Sequence, residues 1–425
     1  MSFSPQQLLT QLPIVSSQQK LWLAYSGGLD STCLVHAISQ LKSLGKLVSP
    51  IHAIHINHGL SQHADAWQQH CVTFATEWGI SIECVRVNAQ RKSGESPEAT
   101  ARDARYQAFA ERIGPGDLLL TAHHQDDQAE TLFLQLLRGS GVKGLASMPI
   151  SHHFASGMLC RPLLSFSRAN LQAYAVQQQL SWVEDESNQC DDFDRNFLRN
   201  QIFPQLQQRW PSITATFSRS ASHCAQSAQL CDELAEKDWR KLVLDDPMTL
   251  SVDGLLALHP ARQNNVLRYW ISRQALPLPT TRQLEQITQR LLIAKKDATP
   301  KVAWPGAELR RFSAKLYLMA PIAPHDPSQV FLWPVEQKTL YIESLNISLQ
   351  RNDLVGRAKD EMLQVRFRQG GESIQLPGKP HHTNLKKLFQ QHAIPPWQRD
   401  RLPLIYVEDE LLEVVCLGWL SICYG

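Results

Sequence analysis

The sequence predicts an α/β protein whose first part is a doubly wound parallel sheet, followed by a helical linker and two smaller C-terminal domains. Strand-like apolar segments alternate with helix-like amphipathic segments over residues 21–179. The first strand runs directly into a glycine-rich turn and a helix, which is typical of the ligand-binding edge of such sheets. From about Pro204 onward this alternation stops, which indicates that a different architecture follows.

In the alternating region, each predicted strand is rich in aliphatic and β-branched residues. Each following segment repeats its apolar residues at helical spacing, and Ser96 and Pro97 supply a cap and a first-turn proline to one helix. The strands are predicted at 21–25, 51–56, 80–87, 117–122 and 159–164, and the helices from 32 and at 64–77, 96–113, 126–137 and 168–179.

The second half predicts a long helix at 212–239 and further helical sequence at 255–293, interrupted at Pro277 and Pro279. Residues 302–318 alternate like strands, and the proline-rich segment 319–327 resembles a linker. We therefore expect three domains. They are a catalytic domain at 1–215, a linker helix with a small mainly helical domain at 216–325, and an α+β domain at 330–425.

The composition is that of an ordinary globular protein, with 43% hydrophobic and 19% charged residues among 425. The net charge of +2 creates no strong overall field, so a nucleic-acid partner must be held by local patches. We expect no signal peptide, because the first 20 residues are polar, and no membrane span. The nine cysteines form no CxxC pair, which favours reduced thiols and a cytoplasmic location.

The turn Ser26-Gly-Gly-Leu-Asp-Ser31 is predicted to bind an anion. Gly27 and Gly28 allow close approach of the main chain, and the helix N-terminus presents free N–H groups. Asp30 would repel a bare phosphate, so its presence indicates a bridging Mg²⁺. The alternative is a plain strand–turn–helix corner with a serine cap.

A second candidate site follows the strand predicted at 117–122. His123, His124, Asp126, Asp127 and Glu130 lie where this strand meets the next helix, and so on the same sheet edge as Asp30. We expect Asp127 to position an amine or Mg²⁺ and His124 to contact phosphate or the transition state. Helix capping accounts for one of these acids equally well, and the spacing matches no standard zinc site.

Two pairs of arginines are candidates for phosphate contacts. Arg102 and Arg105 share a helix with Tyr106 and are suited to triphosphate or pyrophosphate, although a solvated face paired with Glu98 explains them equally well. Arg195 and Arg199, four residues apart after the acidic loop 182–188, are able to bind phosphates of a nucleic acid. These signals are weak individually.

Together, these segments closely resemble the tRNA(Ile)-lysidine synthetases, bacterial members of the pyrophosphate-loop ATPase superfamily. The resemblance is strong over about residues 20–215 and looser through the middle region to 385–400. One departure is Asn57, where several relatives carry aspartate. The matching segments lie at residues 26–31, 58–60, 101–106, 122–131, 138–141, 161–164, 185–188 and 195–199.

The resemblance implies an adenine-nucleotide-binding fold and a ligase that forms a C–N bond. ATP would adenylate the C2 oxygen of the wobble cytidine in tRNA(Ile) with a CAU anticodon, and the ε-amine of free L-lysine would then displace AMP. The residues 26–31 (Ser26, Gly27, Gly28, Leu29, Asp30 and Ser31) would bind ATP, with Mg²⁺ near Asp30. The resemblance also implies that Asp127 orients the lysine amine and takes its proton. Less specifically, it implies contacts of Arg105 and His124 with phosphate or the transition state.

The C-terminal third carries a basic patch suited to tRNA phosphates. Lys386, Lys387 and Arg399 lie beside the aromatic residues Phe389 and Trp397. The alternative is a basic solvated helix. Two other functions remain open: a tRNA sulfur-transfer enzyme of the same superfamily, which the absence of CxxC disfavours, and a non-catalytic tRNA-binding protein. A homodimer is a further expectation.

Overall fold

The protein is described here from a computed structural model, which covers residues 2–14, 16–59, 62–87, 97–186, 190–295, 298–354, 361–376 and 380–415. The chain divides into two compact units, Met1–Cys231 and Asp232–Gly425. The finer division into three domains at 1–215, 216–325 and 330–425 stays a prediction.

The first unit alternates strands and helices. Where the strands are buried they are short and aliphatic, and the turns that follow them contain glycine or polar residues. The elements are α1 (Pro5–Leu9), β1 (Leu21–Ala24), α2 (Leu29–Ser43), β2 (Ile51–Asn57), α3 (Ala64–Glu77), β3 (Ser81–Arg86), α4 (Pro97–Ala110), β4 (Leu118–Leu120), α5 (Gln125–Leu137), α6 (Val142–Leu145), β5 (Ser151–Phe154), β6 (Gly157–Cys160), α7 (Arg168–Gln177), α8 (Asp194–Phe197), a π-helical turn (Leu198–Ile202) and α9 (Phe203–Arg209). The long helix α10 (Ile213–Leu242) begins in this unit and continues past Cys231 into the second.

Within the described part of this unit, six strands form one sheet in the order β3-β2-β1-β4-β6-β5. Neighbours pair in parallel except β5, which runs antiparallel to β6 at one edge. Leu23 of β1 pairs with both Ala53 and Leu120, and Leu120 pairs with Cys160 of β6. This mostly parallel sheet confirms the predicted fold class.

Helices cover both faces of the sheet, as the alternation of strand and helix requires. Leu21 and Leu23 of β1 pack with α2, α3 and α7 on one face. Trp22, between them, packs with Phe109 of α4 on the other face. Because successive strand residues point to opposite faces, β1 contributes to both cores.

The sequence missed β5 and extended β6 too far. β5 contains two histidines and alternates between exposed and half-buried residues, so it lacks the apolar run used to detect parallel strands. Residues 161–164 are buried and apolar except for Arg161, but they form a turn. The Arg161 N–H donates to the carbonyl of Ile150, 2.7 Å away, and this bond replaces further pairing with β4.

The second unit is built from small antiparallel sheets and short helices. Its elements are β7 (Thr249–Ser251), α11 (Val252–Leu256), α12 (Pro260–Arg273), α13 (Thr281–Gln286), a π-helical turn (Ile287–Leu291), β8 (Lys301–Trp304), β9 (Ala307–Phe312), β10 (Lys315–Met319), β11 (Phe331–Trp333), β12 (Thr339–Ile342), β13 (Ile347–Gln350), β14 (Leu363–Arg366), β15 (Ser373–Gln375), β16 (His382–Asn384), α14 (Leu385–Gln391), α15 (Pro396–Arg399), β17 (Leu404–Val407) and β18 (Glu410–Val414).

The middle region combines helices with strands. The sheet β7-β10-β9-β8 packs on α12, α13 and the π-helical turn around the buried Trp270. The interruption predicted at Pro277 and Pro279 is confirmed, since α12 ends at Arg273 and α13 begins at Thr281. The C-terminal region has the sheet β11-β14-β17-β18 and the hairpins β12-β13 and β15-β16.

Candidate active site

The glycine-rich turn joins β1 to α2 at the carboxyl edge of the sheet. Gly27 has φ of +88°, a backbone conformation that favours glycine. A Cβ on this residue would lie 2.8 Å from Sγ of Cys71. Gly28 caps α2 without a side-chain hydrogen bond, so the first N–H groups of the helix remain available for a ligand.

Hydroxyl groups complete the turn. Oγ of Ser31 lies 3.0 Å from Oγ of Ser26 and donates to the carbonyl of Gly28, also at 3.0 Å. Leu29 is buried among core residues, so only its main chain is suited to ligand contact. Asp30 occupies the first turn of α2 and is partly exposed. This combination of hydroxyls, glycines and helix N-terminus suits an anionic ligand.

His124 connects the turn to α5, and three carboxylates surround it. Its Nε2 lies 3.5 Å from Oδ2 of Asp30 and 3.5 Å from Oδ2 of Asp127, and its Nδ1 lies 3.7 Å from Oδ2 of Asp126. Burial opposes the charged ring, but Asp127, Asp30 and Asp126 outweigh it and raise the pKa of His124 to about 9. The two sequence segments therefore meet at one histidine.

His124 and Asp127 also form a capping box at the start of α5. The His124 N–H donates to Oδ2 of Asp127 at 3.0 Å, and the Asp127 N–H donates to Nδ1 of His124 at 3.3 Å. The second bond needs the lone pair of Nδ1, so it forms only when the His124 ring is neutral. In the imidazolium that the carboxylates favour, Nδ1 donates instead and faces Asp126. Protonation of this histidine is thus tied to the cap of α5.

Arg195 and Arg199 are committed to carboxylates of α5. Nε of Arg199 donates to Glu130 at 2.7 Å and its Nη2 donates to Oδ1 of Asp127 at 3.0 Å. Nε of Arg195 donates to Glu130 at 3.1 Å, and its Nη2 donates to Thr131 at 2.8 Å. The i, i+4 spacing therefore aligns both guanidinium groups with one helix. Their predicted contact with tRNA phosphates stays a prediction.

The network shifts the pKa values of Asp127 and Glu130 in opposite directions. Burial opposes the charge of Asp127, but His124, His123 and the two arginines hold its pKa below the usual range. For Glu130 burial dominates over Arg199 and raises the pKa. Burial also lowers the pKa of His123 to about 3. Asp127 is therefore a permanent anion beside a protonated His124.

The α4 residues lie at the same edge. Cζ of Arg102 is 4.9 Å from the ring centroid of Tyr106. Arg105 is half-buried and close enough to His58 to assist burial in lowering its pKa to about 4. The predicted pairing of Glu98 with Arg102 falls outside what is described, as do Leu60, Ser96, Ser187 and Asn188 of the sequence motifs.

Asn57 has a structural explanation. Its Nδ2 donates to Oδ1 of Asp65 and to Oε1 of Gln68, both at 3.1 Å, and its Oδ1 accepts from the Gly59 N–H at 2.9 Å. An aspartate at this position would place a second carboxylate against Asp65. The amide therefore fits this chain's own surroundings.

The predicted basic patch has exposed cations but no exposed aromatic face between them. Lys386 and Lys387 are exposed on α14, whereas Phe389 of the same helix is fully buried. Trp397 packs edge-on against Tyr317, with ring centroids 5.3 Å apart. Arg399 is half-buried and donates to the carbonyl of Ile394 at 2.8 Å. The two aromatic residues therefore serve packing, and the contact of the neighbouring cations with tRNA stays a prediction.

The described residues lack two further features. They contain no cluster of three or more His, Cys, Asp or Glu arranged to hold a metal ion. None of their helices is long and apolar enough to cross a membrane.

The sequence analysis noted the segment 161–164 but did not identify Arg161 as a candidate site residue. The structure shows that Arg161 is a buried cation beside β4.

Three family models match this chain. A PP-loop domain matches residues 3–206, a TilS substrate binding domain matches 250–317, and a TilS substrate C-terminal domain matches 363–422. A solved U34-tRNA thiolase from Methanococcus maripaludis aligns with a TM-score of 0.43 and 17% identity, over 52% of this chain and 76% of that one.

Full-length relatives are more similar. The tRNA(Ile)-lysidine synthase of Coxiella burnetii is 42% identical over 100% of this chain and 94% of its own length. The tRNA(Ile)-lysidine synthase of Methylococcus capsulatus is 39% identical over 94% of this chain and 92% of its own length. On the strength of this identity over almost the whole length, the chain belongs to the tRNA(Ile)-lysidine synthase family.

Proposed function

We propose that this chain is a ligase that uses ATP to join L-lysine to the wobble cytidine of CAU-anticodon tRNA(Ile). One observation carries the proposal: His124 lies between Asp30 of the glycine-rich turn and Asp127 of α5. A nucleotide held by the turn and a cation held by Asp127 would thus be neighbours. Family membership favours this reaction over sulfur transfer and over a non-catalytic role.

The turn at 26–31 is suited to the phosphates of ATP. The uncapped N–H groups of α2, the hydroxyls of Ser26 and Ser31 and the positive φ of Gly27 support this role. The O2 atom of cytidine would attack the α-phosphorus, and pyrophosphate would leave. This step converts a poor electrophile at C2 into one with AMP as its leaving group.

Asp30 fits a Mg²⁺ ion. Its Oδ1 is buried and has no hydrogen-bond partner, which leaves an anionic oxygen available for a cation. Magnesium is commonly held by one or two carboxylates together with substrate phosphates, so a single aspartate is sufficient protein ligation. When bound, the ion would offset the negative charge that develops on the departing pyrophosphate.

Asp127 and His124 would act in the second step, in which the lysine amine attacks C2 and the C2–O bond to AMP breaks. Because the pKa of Asp127 is held low, this carboxylate is a weak base. It is better suited to orient the ammonium group than to remove its proton, which would pass to water before the amine attacks C2. The pKa of His124, raised to about 9, keeps a positive charge available for the phosphate oxygens.

The other assignments rest on position. Arg105 is half-buried on α4 and remains our candidate for a phosphate contact. Lys386 and Lys387 are candidates for tRNA phosphates because they are exposed and adjacent. Arg399 is a weaker candidate, since its Nε is used by a main-chain carbonyl. Binding of free lysine, a homodimer and a cytoplasmic location complete the proposal.

The test is mass analysis of nucleosides after incubating the protein with CAU-anticodon tRNA(Ile), ATP and lysine. We expect lysidine together with one AMP and one pyrophosphate for each modified cytidine. A sulfur-containing product in the presence of sulfide would favour the sulfur-transfer alternative. Tight tRNA binding without any ATP cleavage would favour the non-catalytic one. The variant Asp30→Ala should abolish both ATP cleavage and product.

A further inference from the structure

Arg161 is a buried cation that the reaction described above leaves unused. It directly follows β6, whose last residue pairs with Leu120 of β4. The N–H of Thr121 donates to the carbonyl of Cys160 at 3.0 Å, so Arg161 stands beside the segment that leads to His123. It therefore lies at the same carboxyl edge of the sheet as the glycine-rich turn.

The guanidinium group of Arg161 lacks a carboxylate partner among the described residues. The residue is only 5% exposed. Its Nη1 donates to the carbonyl of Pro149 at 2.8 Å and lies 3.3 Å from Nδ1 of His152. Its Nε is buried and has no hydrogen-bond partner. Burying a charge without an opposite charge costs several kcal/mol, so an arginine in this state is unusual unless a ligand completes it.

The other charges around Arg161 have the same sign. Burial and the nearby charge of Arg102 lower the pKa of Arg161, whereas the neighbouring Tyr106 raises it. Arg102 itself is exposed and stacks on the Tyr106 ring. The neutral His123 lies close to Arg161, Arg102 and Asp127, which connects this region to the acidic cluster. A local excess of positive charge therefore borders a local excess of negative charge.

We propose that Arg161, Arg102 and Tyr106 form an oxyanion subsite that takes the α-carboxylate of the lysine substrate. The hydroxyl of Tyr106, on the ring over which Arg102 lies, has a proton that it can donate to an anionic ligand. A zwitterion matches the two adjoining charge excesses, with its carboxylate at the arginines and an ammonium at Asp127. A phosphate would find cations at one end but carboxylates at the other. This inference rests on the proposed function.

The experiment compares three amines as acceptors: lysine, lysinamide and 1,5-diaminopentane, of which only lysine carries a carboxylate. In the unmodified protein we expect kcat/KM for lysine to exceed that for either analogue by about tenfold or more, as expected for one charged hydrogen bond. In Arg161→Gln this preference should disappear through a higher KM for lysine, with the rates for the two analogues unchanged. Arg112→Gln, in which the lost arginine pairs with Glu83, is the matched control and should keep the preference.

The outcomes separate the two proposals. If the unmodified protein forms no lysine adduct, the proposed function fails. If it does and Arg161→Gln loses activity equally with all three amines, Arg161 is only structural and the inference is wrong. A selective loss of tRNA-dependent pyrophosphate exchange would show instead that the subsite takes a phosphate. If Arg161→Gln does not fold, the variant Arg102→Gln, at an exposed position, tests the inference instead. It should reduce the preference for lysine over the two analogues about threefold or more. An unchanged preference overturns the inference.

Discussion

At the scale of single residues, the site depends on opposite charges held in contact. His124 keeps its proton because Asp127, Asp30 and Asp126 surround it, and Asp127 keeps its charge because His124 and Arg199 contact it. Each group thus fixes the ionisation of the other. Replacing any one of them changes the charge state of its neighbours as well as its own contact.

The variant Asp127→Asn tests the role of that residue in lysine use. The amide keeps the shape but removes the charge that would hold the ammonium group, so we expect KM for lysine to rise by about tenfold or more. Pyrophosphate exchange into ATP in the presence of tRNA should persist. Asp103→Asn, an exposed acid on α4, is the control. Equal loss of exchange and of lysine use would contradict the assignment.

Gly27→Ala tests the geometry of the turn. A left-handed φ costs an L-residue about 1–2 kcal/mol, and the added Cβ would press on Sγ of Cys71. We expect lower thermal stability and weaker ATP binding, measured by unfolding with and without ATP. Gly45→Ala has a similar φ of +66° but open space, so it should show the backbone cost alone. Recovery of stability in Gly27→Ala/Cys71→Ala would show how much the contact contributes.

At the scale of elements, the local pattern predicted most of the first unit. The helix Ala64–Glu77 and the strand–turn–helix corner at 21–43 agree with the sequence because their periodicity and turn residues are local signals. The ion pairs of Arg195 and Arg199 with Glu130 were not predictable, since they join residues more than 60 positions apart. The burial of Phe389 beside the basic residues of α14 was similarly not predictable, because it depends on packing between distant parts of the chain.

The buried His36 of α2 gives the first unit a pH-dependent stability. Burial against Tyr174 and Trp78 lowers its pKa from 6.5 to about 4, so the unfolded chain binds a proton more readily than the folded one. Stability from this group is complete above pH 6.5 and is lost as the pH falls through 4, by about 3 kcal/mol in total.

The variant His36→Gln checks this origin. Its thermal midpoint should fall less steeply between pH 7 and pH 5 than that of the unmodified protein, although lower at neutral pH. His153→Gln, at an exposed position of β5, should follow the unmodified protein. Parallel curves for all three proteins would mean that another group causes the acid instability.

At the scale of the whole molecule, charge is distributed locally. The net charge is only +2, yet the first unit concentrates acids around His124, while α14 of the second unit presents two adjacent exposed lysines. A weak overall field cannot concentrate tRNA near the protein, so affinity must come from contacts with individual phosphates. The salt dependence of tRNA binding is therefore a measure of where those contacts lie.

Reversing Lys386 and Lys387 to Glu tests the contact on α14. Loss of two phosphate contacts should reduce the slope of log K against log salt by roughly 1.5, because each contact releases nearly one counterion. ATP binding should not change, since neither lysine lies in the unit that holds the turn. The control reverses the exposed Lys42, in the last turn of α2, and Lys46, three residues after that helix, which changes the net charge equally. Equal losses of tRNA affinity in both double variants would show that only the net charge matters. An unchanged slope in the α14 variant would show that Lys386 and Lys387 do not contact tRNA.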